Sequence, residues 1–213
     1  MTPTLALEQL MLHPRYDELI DALRSIAPVH IVDQADAAAA DALRLVTTIG
    51  ADVLGAEQTT PITAGGTPGW LRLGILDALT AWVDGRASTC RHNPHPSRPA
   101  PVVAAAWRPG LVACPACAYL VALPRGSERD RTCDACGRVC AGVEHGDGVW
   151  PGLLQLGSLI YQYGTCTDCR PAITPDPGPL RRPETAERDR PRGTARVRPR
   201  GSRGRGRGRG ARR

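Results

Sequence analysis

The chain contains no lysine and no phenylalanine, and its single asparagine is Asn93. These residue types have A/T-rich codons, so the sequence carries the imprint of a G+C-rich coding sequence. Part of its Arg, Gly, Ala and Pro richness is therefore coding bias. Without lysine, all 27 positive side chains are Arg, and a Gly-Lys-Ser/Thr phosphate loop is excluded. Aromatic residues make up only 4% of the chain, and much of its apolar content is alanine. A large, deep core is not expected, and a small core needs a staple such as a metal. No run approaches 18 apolar residues, which argues against a membrane-spanning helix. The start, MTPTLALEQLMLHPRYDEL, has no basic segment, and Glu8 and Gln9 interrupt its apolar run. No secretion signal is expected. The location expected is cytoplasmic, where thiols stay reduced. Eight cysteines in that setting point to metal rather than to disulfides.

Charge is unevenly placed. Residues 180–213 hold 14 Arg against Glu184, Glu187 and Asp189, a balance of +11. Residues 1–179 hold 13 Arg against 18 acids, a balance of −5. The basic character belongs to the tail.

The first 86 residues read as helical. After a break at His13-Pro14, Tyr16, Leu19, Ile20, Leu23 and Ile26 form one apolar face, which Pro28 ends. A second helix is expected over about 34–56, capped by Asp33, with Leu43, Val46, Ile49, Val53 and Leu54 on its stripe. A third starts with Thr67 as cap and Pro68 in its first turn, and carries Leu71, Ile75, Leu79, Trp82 and Val83 to Gly85. A helical hairpin or small three-helix bundle follows, serving as scaffold or as a homodimer surface. His13 and His30 are read as structural or exposed.

From residue 87 the character changes. Cys90, His92 and His95 lie among prolines in an irregular segment. Strands are expected at 102–107 and 111–113, then again at 119–123 and within 153–163. The stretch 114–137 reads CPAC, fifteen residues, CDAC and Gly137. Two Cys-x2-Cys turns at this separation suit a four-thiolate zinc site, each turn aiming two sulfurs at a point about 2.3 Å away. Cys114, Cys117, Cys133 and Cys136 are therefore expected to form one site.

The order strand, knuckle, strand, loop, strand, knuckle resembles the zinc-ribbon class with rubredoxin-like knuckles. The residues carrying the resemblance are the same four cysteines and Gly137, at a position where the backbone turns with positive φ. It covers about residues 111–140 and implies a fold rather than one activity.

A third pair, Cys166 and Cys169, needs two more ligands. Cys90 with His92, or Cys90 with His95, would complete a second zinc site enclosing the first. A cross-braced arrangement would instead join Cys90 and His92 to Cys133 and Cys136, and Cys114 and Cys117 to Cys166 and Cys169. Spacing does not separate the two. Cys140 and His145 are spare ligands, and a free dithiol at Cys166 and Cys169 is the plain alternative.

Enzymatic chemistry is not expected. No His-x-Glu precedes a Pro-Cys-x-x-Cys, Ala113 stands before Cys114, and neither His-Glu-x-x-His nor Gly-x-Ser-x-Gly occurs. After Arg170 the chain is polar and aperiodic, so disorder is expected. Its end, RGRGRGRGARR, resembles the arginine–glycine boxes of nucleic-acid-binding proteins. The resemblance implies phosphate contacts by Arg203, Arg205, Arg207, Arg209, Arg212 and Arg213. No aromatic residue is interleaved there, so base preference is not implied.

The sequence thus predicts an α+β chain: a helical domain (1–86), a zinc-binding β module (87–170) and a disordered tail (171–213). The function expected is non-catalytic association with DNA or RNA. The other reading is a zinc-stabilised adaptor for a protein partner, in which the basic tail is incidental.

Overall fold

A computed structural model describes residues 2–54 and 62–173. The arginine–glycine tail lies outside the described residues. The chain is α+β, with helices first and small sheets after. Four α-helices are described: α1 (Pro3–Met11), α2 (Tyr16–Ile26), α3 (Val29–Ile49) and α4 (Gly69–Val83). Five strands follow: β1 (Ser88–Thr89), β2 (Val102–Ala105), β3 (Leu111–Val112), β4 (Val149–Leu156) and β5 (Leu159–Cys166).

β4 and β5 form an antiparallel hairpin that turns at Gly157 and Ser158, with Gly157 at φ +56°. β2 adds to the other side of β5 in parallel. The sheet order is therefore β2-β5-β4, and β5 is the central strand. β1 pairs with β3, and Val103 bridges Ala113.

Alternation along the strands divides the apolar residues between two faces. Val102, Ala104, Leu159, Tyr161 and Tyr163 pack with Leu71, Ile75, Leu76 and Trp82 of α4. Val103, Ala105 and Ile160 pack with Ala42 and Val46 of α3 on the other face. Helices from the first 86 residues thus share both cores with the sheet. The expected boundary at residue 86 does not coincide with a break in the packing.

The helices differ from expectation in detail. α3 begins five residues before Gln34, because the Pro28 carbonyl accepts from both Ile31 N–H (2.9 Å) and Val32 N–H (3.2 Å). Asp33 is therefore inside the helix and caps nothing. The face that packs carries Ala38, Ala42 and Val46, while Leu43 and Ile49 are exposed. The small side chains let the α3 backbone approach the hairpin, and Gln155 Nε2 donates to the Ala39 carbonyl at 2.8 Å. After Ile49 the helix loosens into a π-turn, Gly50–Leu54. At α4, Thr67 is not the cap: its hydroxyl donates to the Thr63 carbonyl at 3.0 Å. The Arg72 guanidinium organises this corner, meeting Glu8 of α1 and the Thr67 and Ala64 carbonyls. In α2 no residue is buried.

Residues 119–123 do not form a strand. They lie in and after a 3₁₀ segment, Pro115–Val121. The carbonyls a strand would offer to a neighbour are taken by side chains. Trp107 Nε1 donates to the Val121 carbonyl at 2.7 Å, and the Arg108 guanidinium donates to that of Leu120.

Candidate metal centres

Each cysteine pair sits on a short turn closed by the backbone. Cys117 N–H donates to the Cys114 carbonyl (2.8 Å), Gly137 N–H to that of Cys133 (2.9 Å), and Cys169 N–H to that of Cys166 (3.1 Å). Gly137 has φ +74°, as the second knuckle requires. Cys90 lies in a further turn, where Asn93 at φ +46° donates its N–H to the Cys90 carbonyl. That loop is tethered by Trp82, whose indole N–H reaches the Pro94 carbonyl at 2.9 Å.

Two four-ligand clusters result: Cys90, His92, Cys114 and Cys117, then Cys133, Cys136, Cys166 and Cys169. Within each, the ligating atoms lie within 4.8 Å of one another. In the first, Cys90 and Cys114 Sγ are 3.7 Å apart, and His92 Nδ1 is 3.3 Å from Cys114 Sγ and 3.2 Å from Cys117 Sγ. In the second, Cys136 and Cys166 Sγ are 3.9 Å apart. A sulfur tetrahedron with metal–sulfur bonds of 2.3 Å has edges of about 3.8 Å. The Sγ separations of 3.7 and 3.9 Å match such an edge, and each cluster could hold a metal ion.

All eight residues expected as ligands fall in these two clusters, but in a different partition. The CPAC and CDAC pairs do not share a site as the ribbon spacing suggests, and the nested grouping is not formed. The cross-braced alternative is not formed either. The centres are consecutive along the chain. Main-chain register decides this. β1 and β3 pair in parallel, Ser88 with Leu111 and Thr89 with Val112, which brings the CPAC turn beside the Cys90 loop, and Cys114 N–H donates to Cys90 Sγ at 3.4 Å. Cys166 N–H donates to Cys133 Sγ at 3.3 Å, so β5 delivers its own cysteine pair to the CDAC turn.

Among the alternatives weighed for the fourth ligand, His95 turns instead to Ser97 (2.8 Å) and His145 to Glu144 (3.4 Å). Cys140 is buried beside Cys133 and Cys166 without joining either ligand set.

The thiols are not equivalent. Burial opposes ionisation of Cys90, yet main-chain hydrogen bonds from Cys114 and His92, with side-chain contacts, outweigh it and draw its pKa down to about 6. Cys166 is drawn down to about 7 in the same way, against its burial, chiefly by Cys169 and Asp168. Burial and neighbouring thiols push Cys117 and Cys169 up, and burial pushes Cys133 up. Thiolates this close repel one another, and a bound cation offsets that repulsion. The donor chemistry therefore fits a metal ion in each cluster.

Supporting residues escaped the sequence reading. Asp134, inside the CDAC turn, has its side chain almost fully buried. It accepts from Gly164 N–H of β5 at 2.7 Å while its own N–H donates to the Gly164 carbonyl at 2.8 Å. Arg138 bridges Asp147 (2.8 Å) and Asp168 (3.4 Å), tying the second knuckle to the third. Acids inside two of the Cys-x2-Cys turns were the available signal.

No protein-family model matches the chain, and neither does any curated protein or solved structure. No helix among the described residues is long and apolar enough to cross a membrane.

Proposed function

We propose that the chain is a non-catalytic protein built on two structural zinc ions, one held by Cys90, His92, Cys114 and Cys117 and the other by Cys133, Cys136, Cys166 and Cys169, and that it associates with nucleic acid. The observation that carries the structural role is that each cluster supplies four protein ligands. A catalytic zinc keeps one position for water or substrate, whereas a structural zinc is closed. Sulfur and imidazole ligands in a tetrahedron favour zinc over magnesium or calcium, which take oxygen.

The nucleic-acid part rests on the +11 balance of residues 180–213. Arginines in that number release counterions from a phosphate backbone without reading sequence. The test is the salt dependence of binding to a DNA duplex and to an RNA strand. The full chain should show a steep fall in affinity with salt, and deletion of 180–213 should remove most of that slope. Equal affinity and slope after deletion would refute the tail mechanism.

A second reading, association with a protein, is favoured by α2. Leu19, Leu23 and Ile26 are exposed on it, as are Val29 and Ile31 just beyond, with Ile26 at 80% exposure. An apolar stripe of this kind marks a docking or self-association face. Light scattering on the full chain separates self-association from a monomer.

A further inference from the structure

The basic character of the chain is not confined to its tail. Residues 85–140 hold eight Arg against Glu128, Asp130 and Asp134, a balance of +5. Residues 1–84 hold four Arg against eleven acids, a balance of −7. The net −5 of the body therefore averages two opposite fields. Some of the central arginines are neutralised: Arg86 by Asp84, Arg129 by Asp134, and Arg138 by Asp147 and Asp168. Arg91 is exposed and has no ion-pair partner among the described residues. Arg108 is exposed and donates to a neutral carbonyl, that of Leu120, which leaves its charge uncompensated.

Tyr119 is the neighbour in sequence of Leu120, whose carbonyl holds Arg108. It is 67% exposed, and every other aromatic side chain among the described residues is buried or half-buried. Its position gives this exposure meaning. Tyr119 lies in the 3₁₀ segment that carries Cys117, and the Arg108 guanidinium is fastened to the next residue along. Cys117 Sγ is 3.2 Å from Nδ1 of His92, the neighbour of Arg91. The residues of the first cluster are thus flanked along the chain by an exposed ring and an exposed Arg91, with Arg108 fastened to the same 3₁₀ segment.

We propose that the rim of the first metal centre, Tyr119 with Arg91 and Arg108, is a docking site for single-stranded nucleic acid. The proposal rests on the nucleic-acid reading above and assigns the strand form and the residues. A base stacks on the Tyr119 ring, and the two guanidinium groups take the adjoining phosphates. A duplex keeps its base faces stacked inside, so an aromatic platform is of use only to an unpaired strand. The segment that presents the ring is held by Trp107 and Arg108 through the Val121 and Leu120 carbonyls, and a metal bound by Cys114 and Cys117 would fix it further. The tail then supplies affinity for any polyanion, and the rim supplies preference for unpaired strands.

The experiment uses the full chain, a labelled single-stranded oligodeoxythymidine and a duplex of the same length, at one fixed salt concentration. Tyr119→Ala should lower affinity for the single strand about 5- to 100-fold and leave duplex affinity unchanged. Tyr119→Phe keeps the platform and should restore single-strand binding. Arg91→Gln should reduce the single-strand salt slope by about 0.7, which loss of the Tyr119 ring should not do. Metal content of each variant, equal to that of the parent, shows that the centre is intact. Ultraviolet crosslinking should place the oligonucleotide on the peptide containing Tyr119. If Tyr119→Ala binds the single strand like the parent, or loses both probes equally, the rim is not the site, and the tail reading stands. If the parent binds neither probe, the nucleic-acid reading falls and the rim with it.

Discussion

Cys90 and Cys166 play the same part in their two centres. Each is buried, and each thiol is drawn down to near neutrality by surrounding hydrogen bonds, to about 6 and about 7. A thiolate present near neutral pH is the natural first ligand for an incoming cation. Paired substitutions test the partition at this scale. Cys90→Ser with Cys117→Ser removes ligands from one centre, so elemental analysis should find one metal retained. Cys117→Ser with Cys133→Ser disables both, and no metal should remain. Under the nested grouping the second pair would belong to one site and would leave one metal. The eight ligands were legible in the sequence because Cys-x2-Cys spacing is set by the geometry of a single turn. Their grouping was not, because spacing says nothing about which turns meet. The parallel β1–β3 pairing and the Cys166 N–H on Cys133 Sγ fix it, and both depend on contacts between segments distant in the chain.

At the scale of elements, close approach carries the packing. Gly152 of β4 lies opposite Tyr163 of β5, whose ring also meets Trp70 of α4 edge-on at 5.9 Å. A Cβ at Gly152 would fall 2.3 Å from the Tyr163 ring. Gly152→Ala should therefore cost about 1–3 kcal/mol, read as a lower denaturation midpoint. Gly65→Ala, where a Cβ meets nothing within 4 Å, should stay within about 0.5 kcal/mol. α4 was readable from its period; strands were expected within 153–163, but the hairpin running from Val149 to Cys166 was not. The strand expected at 119–123 was not formed, because its apolar residues suit a strand but its carbonyls are claimed by Trp107 and Arg108. The alanine-rich half of α3 was passed over as packing surface for a related reason: small side chains carry little hydrophobic signal yet permit the nearest approach of a backbone.

On the scale of the whole molecule, the sheet between α3 and α4 contributes, among the described residues, to both apolar cores. β5 belongs to both apolar cores and ends in Cys166, a ligand of the second centre. The α+β class was legible; the partners of the helices were not, since an amphipathic face shows that something is covered without showing what covers it. The coupling has a consequence for metal removal. Structural zinc contributes about 10–16 kcal/mol in isolated finger peptides, against about 5–15 kcal/mol for the total stability of a typical domain. Excess chelator should therefore abolish the near-ultraviolet circular dichroism of the buried Trp82 and Tyr163 environments, and zinc should restore it. An unchanged spectrum in metal-free protein would show that the cores stand without the ions. Consecutive centres also impose an order on biosynthesis. The ligands of the first are complete when Cys117 leaves the ribosome, and those of the second only when Cys169 does. At ordinary translation rates that interval is roughly 3–10 s. An ion taken up by the first cluster would tie the Cys90 loop to the CPAC turn before the cysteines of the second have all been made, and would keep the two sets of ligands apart.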